Sequence, residues 1–224
     1  MNPPRRAIVL AAGFGSRLSP FTLDCPKPLI PVRGRPIIGH MFDQLRGWGV
    51  RDVLVNLHHR ADRMLEELPA LCPPDMRLSL CHEPDILGTG GALRRMAWFW
   101  RDAPLWICNA DVWLSLDPLP LIRAIRKRNP LACLWMVPNH GPQTVRVEKG
   151  RVRDFTGGGM TFSGLHLARR ELLEYLPEAE TFCSVIPAYE AAMRDGHEVR
   201  GVTVPDSVWE DLGTPERLLA VNGG

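Results

Sequence analysis

Arg6-Ala7-Ile8-Val9-Leu10-Ala11-Ala12-Gly13-Phe14-Gly15-Ser16-Arg17-Leu18 passes from an apolar run into glycines, and that change sets the fold class. The run from Arg6 to Ala11 is apolar and ends in glycines, the pattern of a parallel strand buried on both faces. A glycine-rich loop therefore leaves the carboxyl end of a first strand, the place where open α/β sheets bind ligands. Beyond it, Pro36 stands at the start of a helix whose apolar residues Ile37, Ile38, Met41, Leu45 and Trp48 recur at helical spacing, with Gly47 and Gly49 to stop it. Strands over 52–56, 77–81, 105–109 and 132–137 then alternate with helices over 60–68, 90–100 and 118–128, which predicts a parallel sheet flanked by helices. The segments 144–148 and 151–155 around Lys149-Gly150 read as a β-hairpin, so the sheet is expected to be mixed. A strand over 161–167, an amphipathic helix over 182–194 closed by Asp195-Gly196, and a helix over 214–221 with Thr214 as cap and Pro215 at its first position complete the expected order. Thr156-Gly157-Gly158-Gly159 reads as a turn.

The chain has 224 residues, 45% of them hydrophobic and 23% charged, with net charge +2. These values suit one α/β domain over 1–224 with a sizeable core. So small a net charge gives no general pull toward nucleic acid or a membrane, so neither is expected as a partner. No apolar stretch reaches the roughly 20 residues that span a bilayer. Six cysteines without a C-x-x-C pair, two of them (Cys108 and Cys133) inside apolar runs, point to reduced thiols and a cytoplasmic location. Gly13 and Gly15 break the apolar start that would otherwise imitate a secretion signal.

Glycines at the end of a strand let backbone N–H groups approach phosphate oxygens closely, although a plain turn has the same look. A dinucleotide fingerprint is excluded by Leu18, where glycine is needed, and a P-loop by the absence of Gly-Lys-Ser/Thr. Arg17 offers a planar fork for phosphate. Lys27, stiffened between Pro26 and Pro28, offers a compact charge. Asp111 follows a buried strand at the edge where ligands bind, and a carboxylate there suits Mg²⁺, which takes oxygen ligands.

Together, 10–18 and Pro26-Lys27-Pro28-Leu29-Ile30-Pro31-Val32 resemble the signature of the sugar-1-phosphate nucleotidyltransferases. Glu83-Pro84-Asp85-Ile86-Leu87-Gly88-Thr89-Gly90-Gly91-Ala92-Leu93 is similar to that family's second nucleotide loop, and Trp209-Glu210-Asp211-Leu212-Gly213-Thr214-Pro215-Glu216-Arg217-Leu218 to its late metal motif. The resemblance implies a Rossmann-like α/β fold. It also implies a nucleotide site drawn from Leu10, Ala11, Ala12, Gly13, Gly15, Ser16, Arg17, Lys27, Glu83, Gly88, Thr89 and Asn109. Arg17, Lys27 and Asp111 would carry the chemistry, Asp111 and Asp211 would hold Mg²⁺, and Thr144, Ser163 and Gly164 would lie near the sugar. Glu83 stands where many pyrimidine-using members carry glutamine; ionised, it accepts hydrogen bonds and does not donate them, which leaves the base open.

The implied partners are a nucleoside triphosphate and a sugar-1-phosphate; the oligomeric state, monomer or homo-oligomer, is not legible. Within the family the short uridylyltransferases acting on N-acetylmuramate-1-phosphate share Asn109-Ala110-Asp111-Val112-Trp113 and Thr161-Phe162-Ser163-Gly164. Thr144 replaces their sugar-side aspartate. GTP with a mannose or heptose phosphate, CTP with another phosphate acceptor, and a noncatalytic NDP-sugar sensor are the alternatives.

Overall fold

The computed structural model describes residues 3–178 and 181–223. In chain order the elements are β1 (Arg6–Leu10), β2 (Pro31–Val32), β3 (Arg35–Pro36), α1 (Ile37–Gly47), β4 (Asp52–Leu57), α2 (Ala61–Leu71), β5 (Arg77–His82), α3 (Gly88–Arg95), β6 (Leu105–Asn109) and β7 (Val112–Ser115). There follow α4 (Leu119–Arg126), β8 (Ala132–Pro138), β9 (Arg146–Glu148), β10 (Arg151–Asp154), β11 (Met160–Ala168), α5 (Ile186–Arg194), β12 (Val199–Val202), β13 (Val208–Asp211) and α6 (Pro215–Gly223). Contacts divide these elements between two compact units interleaved along the chain. The first runs up to Ile86 and takes in Asn109–Ser115 and everything from Val208; the second is Leu87–Cys108 with Leu116–Ser207. A three-stranded parallel array lies in the first unit and a six-stranded mixed one in the second.

In the first unit β5, β4 and β1 lie side by side and parallel, with Leu10 opposite Asn56 at the carboxyl end. Ala7, Ile8 and Val9 are fully buried, as an apolar run in a parallel strand requires. Helix α1 buries Ile37, Ile38, Met41, Phe42 and Leu45 on one stripe. Leu18, Ile30, Val32, Ile37, Leu212, Leu218 and Val221 form one apolar cluster. It joins the glycine-rich loop, the segment after Lys27, α1, the end of β13 and α6. Burial of such side chains stabilises by roughly 1.5–3 kcal/mol each, so the residues that flank Arg17 and Asp211 in sequence are anchored in core.

The second unit has the strand order β6-β11-β8-β12-β10-β9. Strand β11 runs antiparallel to both β6 and β8, and β12 runs parallel to β8. The β9–β10 hairpin turns at Lys149 and Gly150, both at positive φ, which gives the right-handed strand twist a matching turn.

Several expected boundaries move. The helix expected over 182–194 begins at Ile186, because Cys183 is bound on both sides by the other chain segment: its N–H donates to Leu87 O and its O accepts from Gly90 N. Pro187 then suits only a first helical turn. The helix expected over 90–100 ends at Arg95 and gives way to a 3₁₀ turn over Ala97–Phe99. The hairpin strands are shorter than 144–148 and 151–155, since Thr144 lies outside the ladder. Among the described residues no helix is long and apolar enough to cross a membrane, and none of the six cysteines is in a disulfide.

Candidate active site

The glycine-rich loop begins where the chain leaves β1. Past Leu10 the N–H of Ala11 donates to the side-chain Oδ1 of Asn56 at 2.6 Å, and Leu10 O accepts from Ala110 N at 2.9 Å. Ala11 and Ala12 are buried; Gly13 and Ser16 are exposed. Gly15 sits in the left-handed region at φ +65°, and a Cβ there would stand 2.8 Å from the Thr22 methyl and 3.1 Å from Lys27 Cβ. Only glycine lets the loop fold back this closely over Lys27. The Thr22 hydroxyl closes the fold by donating to Gly15 O at 3.0 Å.

Lys27 lies at the start of a 3₁₀ turn over Lys27–Leu29 and is only 5% exposed. Its ammonium stands 2.7 Å from Asp111 Oδ2 and 4.0 Å from Asp211 Oδ1. A buried charge of this kind survives only when paired. The two aspartates, a hundred positions apart in sequence, meet through a two-stranded ribbon. Strand β13 pairs antiparallel with β7, placing Asp211 opposite Val112, and Leu212 N donates to Asp111 O at 3.2 Å. The ribbon's one signal in the sequence is the run Val112-Trp113-Leu114 matched by Val208-Trp209, β-prone residues with alternating burial.

Around Asp211 two arginines gather. Arg17 Nη1 is 3.7 Å from Oδ2, and Arg217 Nη1 is 3.3 Å from the same atom. Arg217 stands six positions after Asp211 in the late motif Trp209–Leu218. A Cβ at Gly213 would lie 2.7 Å from Arg17 and 2.8 Å from Asp211 Oδ1, so this glycine makes the room in which the pair sits. Three cations thus surround two carboxylates, an excess of positive charge suited to a polyphosphate.

The donor set also fits a magnesium ion. Asp111 and Asp211 already converge on one cation, the Lys27 ammonium. Among the described residues no three His, Cys, Asp or Glu side chains form a metal-binding group. Two carboxylates with the remaining positions left to water and phosphate is the usual Mg²⁺ pattern.

Glu83 follows β5 and is 1% exposed. Its Oε1 accepts from Asn56 Nδ2 at 2.7 Å, and the His58 ring bonds its carbonyl at 2.9 Å. The carboxylate is turned into the protein beside the loop. Asn109 ends β6, half-buried, two residues before Asp111.

The remaining expected residues belong to the second unit. Gly88 and Thr89 open α3, with Gly88 packed against Cys183 O. Thr89 does not cap its own helix: its hydroxyl accepts from Val185 N at 2.9 Å and fixes the entry into α5. In β11 the Ser163 hydroxyl donates to Trp135 O at 3.0 Å and accepts from Leu165 N, while Gly164, at positive φ, occupies the irregularity between Phe162 and His166. Thr144 is exposed beside Gln143, whose N–H donates to Thr161 Oγ1.

Residues 6–156 match the nucleotidyl transferase family model. The chain is 28% identical over 237 residues to the N-acetylmuramate alpha-1-phosphate uridylyltransferase of Caulobacter vibrioides, covering 97% of this chain and 95% of that one. It is 25% identical to the mannose-1-phosphate guanylyltransferase of Mycobacterium tuberculosis, covering 95% of this chain but 62% of that protein. Among solved structures, HddC from Yersinia pseudotuberculosis complexed with GMP-PN superposes with TM-score 0.82 at 20% identity over 98% of both chains. A UDP-glucose pyrophosphorylase from Acinetobacter baumannii does so with TM-score 0.81 at 16% identity, over 97% of this chain and 92% of that one. These structural matches show a common mixed α/β, Rossmann-like fold. With its glycine-rich loop, buried lysine and paired aspartates carried on that fold, the chain belongs to the nucleotidyl transferase family.

Proposed function

We propose that the chain transfers a nucleoside monophosphate from a nucleoside triphosphate to a sugar-1-phosphate, releasing pyrophosphate. The observation that carries this reading is the meeting of Lys27, Asp111 and Asp211 beside a glycine-rich loop. A sensor that only bound an NDP-sugar would have no need to bury an ammonium between two carboxylates. The relatives include enzymes named for uridylyl and for guanylyl transfer. The match over nearly the full length of both chains favours UTP with N-acetylmuramate-1-phosphate as the pair.

The nucleophile is a phosphate oxygen of the sugar-1-phosphate. With a second pKa of about 6 it is largely dianionic at neutral pH and needs no strong general base. What the protein must supply is alignment and compensation of charge. The loop is pinned at its start by the Ala11 N–H donating to Asn56 and at its end by the Thr22 hydroxyl donating to Gly15 O, so the amides between them can receive phosphate oxygens with little reorganisation. Lys27 can exchange its bond to Asp111 for one to the α-phosphate, where charge builds during attack. Arg17, with its side chain 65% exposed, is free to turn onto the departing pyrophosphate. Asp111 and Asp211 would hold Mg²⁺, which when bound neutralises triphosphate charge and orients the phosphates. Arg217, held at Asp211, keeps that carboxylate aimed.

A pyrophosphate-release assay over the four common triphosphates and a panel of sugar phosphates tests the proposal. UTP with N-acetylmuramate-1-phosphate should give the highest kcat/KM; faster release with GTP and a mannose or heptose phosphate would move the specificity, and none with any pair would end the enzyme reading.

A further inference from the structure

Asn56 has no part in any motif, yet it is 3% exposed at the carboxyl end of β4 with both ends of its amide engaged. The backbone N–H of Ala11 can only donate, so the atom facing it at 2.6 Å must be the carbonyl oxygen of Asn56. The amide nitrogen is then forced toward Glu83 Oε1, 2.7 Å away, and that carboxylate can only accept when ionised. One orientation of Asn56 satisfies both partners, and its reversal would set donor against donor and acceptor against acceptor. Ala11 is the first residue past the β1 ladder, whose last register pair is Leu10 with Asn56 itself. The side chain thus catches the amide at which the strand becomes loop. Glu83 is held in turn at its own backbone, its N–H on Leu57 O at 2.7 Å and its carbonyl on His58 at 2.9 Å.

We propose that Glu83 and Asn56 form a hydrogen-bond relay of fixed polarity that positions the first amide of the glycine-rich loop and so sets the affinity for the triphosphate. Both are positioning residues, acting through the backbone of Ala11. The inference rests on the nucleotidyltransferase reading for what the loop binds, and it assigns the Glu83 carboxylate to the loop instead of to the base.

Exchanging the polarity tests it. With Asn56→Asp alone, the carboxylate at position 56 still accepts from Ala11 but meets the Glu83 carboxylate with no donor between them. Adding Glu83→Gln supplies that donor and rebuilds the relay with its charge moved across. We expect Asn56→Asp to lower kcat/KM for the triphosphate about 10-fold or more, the scale of an unsatisfied buried polar contact. The double variant should recover at least 5-fold of that loss, and KM for the sugar phosphate should move less than about 2-fold in both. A triphosphate kcat/KM unchanged in Asn56→Asp would overturn the proposal, as would a double variant that melts like the wild type but is no better than the single one. Protection of the Ala11 amide from hydrogen exchange gives a reading independent of turnover: lost in Asn56→Asp and regained in the double variant if the relay exists, equal in all three if it does not. Should the wild type turn over no triphosphate, the exchange data still decide the relay while the functional reading fails separately.

Discussion

At Lys27 burial and charge pull in different directions. Its ammonium is nearly out of contact with water, and the 2.7 Å bond to Asp111 is what makes that burial tolerable. Asp111→Asn keeps the shape and an acceptor but removes the charge that would draw a metal and a polyphosphate into line. Turnover should fall by at least about 100-fold, the scale of a lost electrostatic group at a reacting centre, while circular dichroism remains that of the wild type. Lys27→Ala should depress kcat more than it weakens nucleotide binding, measured by steady-state kinetics beside equilibrium titration; a variant with normal kcat would remove Lys27 from the reacting centre. Gly15→Ala meets Thr22 and Lys27 in a backbone conformation that costs a side chain roughly 1–2 kcal/mol. The triphosphate KM should therefore rise, and a wild-type KM would show that the loop is not constrained as described. Gly13, Gly15, Arg17 and Lys27 were legible in the sequence because a strand, a glycine loop and a proline-flanked lysine are all local patterns. Asn56 and Arg217 were not, since their partners Ala11, Glu83 and Asp211 come from elsewhere in the chain or, for Arg217, lie inside a motif read for its aspartate.

Among the elements, the β7–β13 ribbon carries the most consequence for its size. Two four-residue strands bring Asp111 and Asp211 onto the same lysine. Leu212, the residue that follows β13, is fully buried in the cluster that also holds Leu18 and Ile30. Leu212→Ala should cost about 2–5 kcal/mol by urea denaturation, and because the ribbon end carries Asp211, activity should fall further than stability alone accounts for at a temperature where the variant is folded. An equal loss in both would mean that the ribbon is a structural tie and nothing more. Periodicity revealed α1 and the parallel strands, whose apolar stripes or runs span many residues. It missed the ribbon because four residues with one tryptophan and one or two aliphatic side chains fit too many local structures. It misplaced the start of α5 because the bonds of Cys183 to Leu87 and Gly90 are made across the fold.

For the molecule as a whole, the buried titratable groups give the clearest solution signature. His166 on β11 is packed between the rings of Phe162 and Tyr189, and burial pushes its pKa down to about 3, against a smaller upward pull from the Gly164 backbone. Between pH 6.5 and 3 the unfolded imidazole binds a proton that the folded one refuses. Stability is therefore full above pH 6.5 and declines as pH falls, by about 2 kcal/mol at pH 5. His166→Phe should flatten this slope in urea titrations at pH 7 and 5; an unchanged slope would place the acid sensitivity elsewhere. Burial likewise pushes the Cys133 thiol up to about 12 and raises that of Cys108, so both are protonated and inert at neutral pH. The central claim, transfer at the α-phosphate by the Lys27–Asp111–Asp211 group, meets its most direct test in pyrophosphate release with Mg²⁺, a triphosphate and a sugar-1-phosphate, run on the wild type and on Asp111→Asn. Release that requires all three components and disappears in the variant is the expected result; release at the same rate from Asp111→Asn would contradict the account.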